Sequence, residues 1–121
     1  MKSYPTANPI LVIDDEASIL MLLERILSRN GYAVDTAANG EEGIRKIENN
    51  EYSLILTDIE MSGISGDQVL DYLRNTIKKS TPVVGMSGTP WLLDQSDFDA
   101  VLPKPYHMKE LLDLVSQLTE K

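Results

Sequence analysis

Short apolar runs alternate with longer amphipathic stretches along this chain, and no other feature of the sequence restricts the fold as much. The runs cover residues 10–13, 32–37, 54–56, 82–86 and 100–102. Ile10-Leu11-Val12-Ile13 and Leu54-Ile55-Leu56 show no apolar–polar alternation. Strands of that kind are buried on both faces, as in a parallel sheet covered by helices on each side. The run at 32–37 is broken by Asp35 and Thr36 and suits a sheet edge. Between the runs the apolar spacing becomes helical. Ile19, Leu20, Leu22, Leu23, Ile26 and Leu27 form a stripe over 17–30, and Gly31 supplies the left-handed residue that ends such a helix. Asn39, with Glu42 three residues on, reads as the capped start of a second helix through Ile44 and Ile47. A third begins after Gly66 with Val69, Leu70 and Leu73, and the last spans 107–118 with Leu111, Leu112, Val115 and Leu118 on one side. The connection after Ser87-Gly88 has room for two helical turns at most, with Pro90 in a first-turn position, so a short or irregular fourth helix is expected. The pattern predicts an α/β fold, a doubly wound parallel sheet of five strands with helices on both faces.

At 121 residues the chain has room for one domain, and an apolar share of 42% is enough for a full core. The single domain is expected over 1–121, with 1–8 as a flexible N-terminal segment. The absence of cysteine removes disulfides, thiolate metal sites and cysteine nucleophiles, and one histidine, His107, cannot build an imidazole zinc site. Nineteen acidic against eleven basic residues leave a formal charge of −8, which disfavours binding to nucleic acid or to an anionic membrane. The N-terminus lacks the apolar core of a signal peptide, and no apolar run approaches the roughly 20 residues that span a bilayer. A cytoplasmic protein is expected.

In doubly wound sheets, functional groups gather at the carboxyl ends of the strands, near the point where strand order reverses. Here the first strand ends in Asp14-Asp15-Glu16, the third in Asp58, the fourth in Ser87-Gly88 and the fifth in Lys104-Pro105. Taken singly, an Asp after a strand is commonly a helix cap, Lys104 a solvated surface lysine and Ser87-Gly88 an ordinary turn. Their joint placement at successive strand ends points to a site. Two like charges about 4 Å apart repel by roughly 4 kcal/mol at an effective dielectric near 20. Three gathered carboxylates therefore demand protonation or a cation. Lys104 offsets one charge, and a divalent ion neutralises the rest. With oxygen ligands alone, that ion is magnesium, or manganese in its place. Such a metal, an ammonium and a hydroxyl together suit phosphoryl transfer, with Asp58, standing on a central strand, as nucleophile.

The constellation of Asp14-Asp15, Asp58, Ser87 and Lys104-Pro105, with Asp58-Ile-Glu-Met-Ser-Gly-Ile-Ser-Gly66 after the central aspartate, resembles the receiver domains of two-component response regulators over essentially the whole chain. The resemblance implies a flavodoxin-like sheet of order 2-1-3-4-5 and a phosphoryl group passed to Asp58 from a histidine kinase or phosphotransfer protein. It further implies magnesium bound by Asp15, Asp58 and the backbone carbonyl of Glu60, with Asp14 helping through water. Ser87 would hydrogen-bond the phosphoryl group, Lys104 would pair with it, and the Lys104-Pro105 bond would be cis.

Three positions depart from the family pattern. Val101 stands where receivers carry an aromatic output reporter, the step from Ser87 to Lys104 is 17 positions and shorter than usual, and Ser62 replaces a proline, which is expected to loosen one turn. The first two fall on the output face, with Trp91 nearby, and imply retained phosphorylation with unconventional output. Glu16 and Glu60 read as solvated rim charges, with tuning of hydrolytic water as a further role, and His107 as a surface residue starting the last helix. A phosphorylation-independent pseudo-receiver is the alternative within signalling. A haloacid-dehalogenase-type phosphatase is the alternative enzyme, against which stand adjacent Asp14-Asp15 in place of Asp-x-Asp and the lack of a cap insertion. With nothing after the last helix to form an output domain, either a stand-alone receiver or a piece of a longer regulator or hybrid kinase is expected, its downstream partner unknown.

Overall fold

The strand Ile10–Ile13 (β1) is buried at every position, and its side chains divide between the two faces of the sheet. Ile10 and Val12 join one apolar cluster, Leu11 and Ile13 the other. The period of two is ordinary strand geometry, so helices on both sides are needed to cover it. The computed structural model describes residues 8–90 and 97–119. Strands β2 (Val34–Ala37), β3 (Leu54–Asp58), β4 (Val83–Ser87) and β5 (Ala100–Pro103) pair with β1 in one parallel sheet of order β2-β1-β3-β4-β5. The doubly wound architecture and the edge position of the strand carrying Asp35 agree with the reading from sequence.

Helices α1 (Ala17–Arg29) and α4 (Met108–Thr119) cover one face, through Leu23, Ile26, Leu27, Leu111 and Val115. Helices α2 (Gly40–Asn49) and α3 (Gly66–Asp71) cover the other, through Ile47, Val69 and Leu70. Helix α3 runs on into a π-helical turn, Tyr72–Thr76, which buries Leu73 in the same cluster. Full burial of one such aliphatic side chain stabilises the fold by roughly 1.5–3 kcal/mol, so each face is held by its own set of contacts.

The helix ends follow local chemistry. Gly31 has φ +93°, in the left-handed region, directly after α1. The Asn39 side chain accepts from the Glu42 N–H at 2.8 Å, while Glu42 Oε1 accepts from Ala38 N–H, one residue upstream of the cap itself. Ser65 and Gln68 form a reciprocal capping box at α3 that the sequence reading passes over. The last helix starts one residue later than expected. His107, exposed, precedes it, and its N–H donates to Glu110 at 2.9 Å. The expected short fourth helix with Trp91, and all of the 1–8 segment except Asn8, lie outside the described residues.

Candidate functional site

Three strand ends and one loop bring the polar groups together. Asp58 is the last residue of β3, in register with Met86 of β4, and its neighbour Ile59 continues the pairing by donating its N–H to the Met86 carbonyl at 3.0 Å. Asp14 follows β1 directly and is tied to the end of β2 by its N–H to the Ala37 carbonyl. Ser87 ends β4, and its carbonyl accepts from the Lys104 N–H at 2.7 Å, which fixes the loop after β5. The Lys104-Pro105 bond is cis, as the resemblance implies. Gly66 lets α3 approach the back of the site, since a Cβ there would lie 2.6 Å from the Asp58 carbonyl oxygen.

Asp14, Asp15 and Asp58 each present a carboxylate oxygen, and these atoms lie within 4.8 Å of one another. The acid cluster expected from the strand ends is therefore one site. Lys104 Nζ donates to Asp58 Oδ1 at 2.9 Å. Asp14 Oδ1 accepts the N–H of Glu16, the residue capping α1, whereas Asp14 Oδ2 is buried and has no hydrogen-bond partner among the described residues. Asp15 is exposed, and its Oδ2 accepts from Ser62 N–H at 3.2 Å. Ser62, read from sequence as a loosened turn, thus supplies a donor that a proline could not.

Burial pushes the Asp14 carboxyl above its ordinary value; the Glu16 N–H opposes this, and the charge of Asp58 adds to it. Burial also raises Asp58, with Lys104 pulling it back and Glu60 and Asp15 pushing it up. For Lys104, burial disfavours the ammonium, but the hydrogen bond and charge of Asp58 outweigh it and raise the pKa. The two partners move in compatible directions, because one ammonium faces several carboxylates and compensates them incompletely. A buried orphan oxygen within an all-oxygen cluster carrying excess negative charge fits a hard divalent cation.

Ser87 reaches the rim, but its hydroxyl is engaged elsewhere. Ser87 Oγ donates to Glu60 Oε2 at 2.8 Å and accepts from the Thr89 N–H at 2.9 Å, while Thr89 Oγ1 donates to the same Glu60 oxygen at 3.1 Å. Glu60 is exposed, as a rim charge would be, yet it is also the acceptor for two hydroxyls. Sequence reasoning missed Thr89 altogether. The available signal was a pair of hydroxyls at 87 and 89, spaced to face one way in extended chain.

The model of the response regulator receiver domain matches residues 10–116. Transcriptional regulatory protein ResD of Bacillus subtilis is 35% identical over 117 residues, covering 93% of this chain and 48% of ResD. The alkaline phosphatase synthesis regulator PhoP of the same organism is 38% identical over 93 residues, covering 77% of this chain and 36% of PhoP. The chain thus spans about half or less of these curated relatives. The crystal structure of response regulator protein TrrA from Thermotoga maritima, in complex with Mg(2+)-BeF, superposes with a TM-score of 0.83 at 37% identity, covering 92% of this chain and 98% of TrrA. With the sheet order, the acid cluster and the Lys104–Asp58 pair all in place, this chain belongs to the receiver domains of response regulators.

Proposed function

We propose that Asp58 is the phosphoacceptor of a two-component phosphorelay. The observation that carries this is the buried Asp58 carboxylate, held by Lys104 at 2.9 Å within a cluster of three acids. An oxygen of Asp58 attacks phosphorus of a phosphohistidine, the new O–P bond forms, and the P–N bond breaks with its electron pair leaving on the imidazole. Lys104 shields the negative charge on the acceptor and then on the acyl phosphate. Asp14 and Asp15, with Asp58 and the Glu60 carbonyl, would hold magnesium, or manganese, which when bound neutralises charge on the transferring oxygens. Ser87 donates to the phosphoryl group once it is in place. The chain acts as a signalling switch, not as a turnover enzyme, beyond catalysing its own phosphorylation and slow dephosphorylation.

The donor is a histidine kinase or phosphotransfer protein in the cytoplasm. No described helix is long and apolar enough to cross a membrane. Val101, half-buried and opposite Gly85 in the sheet, leaves the fifth strand without an aromatic reporter, so output passes through other contacts. Intact mass spectrometry after incubation with acetyl phosphate and magnesium tests the reading. The natural sequence should gain the mass of one phosphoryl group and Asp58→Ala should gain none. No gain in the natural sequence, or equal gain in both proteins, overturns it, and the former outcome would favour a phosphorylation-independent module.

A further inference from the structure

The Ser87 hydroxyl has a single proton, and that proton is committed to Glu60. Its lone pairs accept from the Thr89 N–H, so the group cannot donate to a second acceptor without leaving Glu60. Thr89 donates its own hydroxyl to the same Glu60 oxygen. One exposed carboxylate, two residues beyond the aspartate at which a phosphoryl group would arrive, therefore collects the hydroxyls of Ser87, at the end of β4, and of Thr89.

We propose that Glu60 is a positioning residue that competes with the phosphoryl group for the Ser87 and Thr89 hydroxyls and so sets the threshold at which these two side chains turn to a modified Asp58. This rests on Asp58 being the phosphoacceptor. Two effects release the latch, and both act in the same direction. Phosphorylation changes the charge at Asp58 from −1 to about −2, which repels the Glu60 carboxylate, and it adds strong acceptor oxygens for the donors that Glu60 gives up. Until then the carboxylate keeps the Ser87 and Thr89 hydroxyls turned toward itself. A charge-assisted hydrogen bond is strong enough to shift such a balance about tenfold or more.

The probe is beryllium fluoride at saturating magnesium, a stable stand-in for the phosphoryl group, titrated by calorimetry. Glu60→Ala should bind it about tenfold more tightly than the natural sequence, because the competing acceptor is gone. In a Ser87→Ala, Thr89→Val background the same Glu60→Ala change should tighten binding clearly less than it does in the natural background, since no hydroxyl remains to be released and only the charge repulsion is relieved. Unchanged or weaker binding by Glu60→Ala overturns the proposal. Equal tightening in both backgrounds also overturns it and assigns the effect to plain charge repulsion. Failure of the natural sequence to bind beryllium fluoride at all strikes at the phosphoacceptor reading itself, and the latch falls with it.

Discussion

Among the described residues, Asp14 carries a sharp energetic conflict. It is fully buried, one oxygen has no hydrogen-bond partner among the described residues, and burial holds its carboxyl above the ordinary value. A raised folded-state pKa means that the folded protein binds the proton more tightly than the unfolded chain does. Stability is then lost as pH rises from the ordinary carboxylate value through the raised one, and the cost is fully felt at neutral pH. Asp14→Asn keeps an acceptor for the Glu16 N–H and removes the charge. It should stabilise the metal-free protein at neutral pH, with the gain shrinking as pH falls toward the ordinary carboxylate range. The same substitution should reduce the extra stability conferred by millimolar magnesium. Urea unfolding at the two pH values, with and without the metal, reads both effects, and a less stable variant at neutral pH would contradict them. The carboxylates themselves were legible in the sequence as strand-end residues. That Asp14 would be buried and half-satisfied was not, because burial depends on what packs above the strand end.

Helix α3 approaches the back of the site closely through Gly66. At Gly66 an added Cβ would meet the Asp58 carbonyl oxygen at 2.6 Å and Ile59 Cα at 2.9 Å, both backbone atoms that cannot turn aside. At Gly43 of α2 the clash is with Ile13 Cδ1, the far end of a flexible side chain, also at 2.6 Å. Gly66→Ala should therefore cost about 2–3 kcal/mol and disturb beryllium fluoride binding, whereas Gly43→Ala should cost less and leave the site intact. Equal costs in denaturant titrations would show that the end of β3 yields more readily than its hydrogen bonds imply. The sequence reading placed the start of α3 within one residue, at Gly66, and overlooked the Ser65–Gln68 capping-box signature, while the π-helical turn that follows has no signal in the sequence pattern. That turn depends on how far the helix can extend before it must turn back to the sheet.

At the scale of the whole molecule, the sheet separates two apolar clusters. Val115 of α4 lies in one and Val69 of α3 in the other, both completely buried. Truncating either to alanine should cost about 2 kcal/mol, and the double variant should show the sum within roughly 0.5 kcal/mol, because the two cavities share no side-chain partner. A marked excess over the sum in urea unfolding would mean that the sheet transmits strain between its faces. Closely packed interiors make that alternative a fair test.

Pattern along the chain determined the layered α/β fold, the edge position of β2 and the gathering of Asp14, Asp15, Asp58 and Lys104 at one rim, because each follows from local periodicity and the rule that parallel strands end together. Tertiary structure decided the rest. Ser87 and Glu60 are 27 residues apart and meet through the pairing of β3 with β4, and Ser62 reaches Asp15 across 47 residues. Contacts of that kind are selected by strand register and loop path, which no short window of sequence contains.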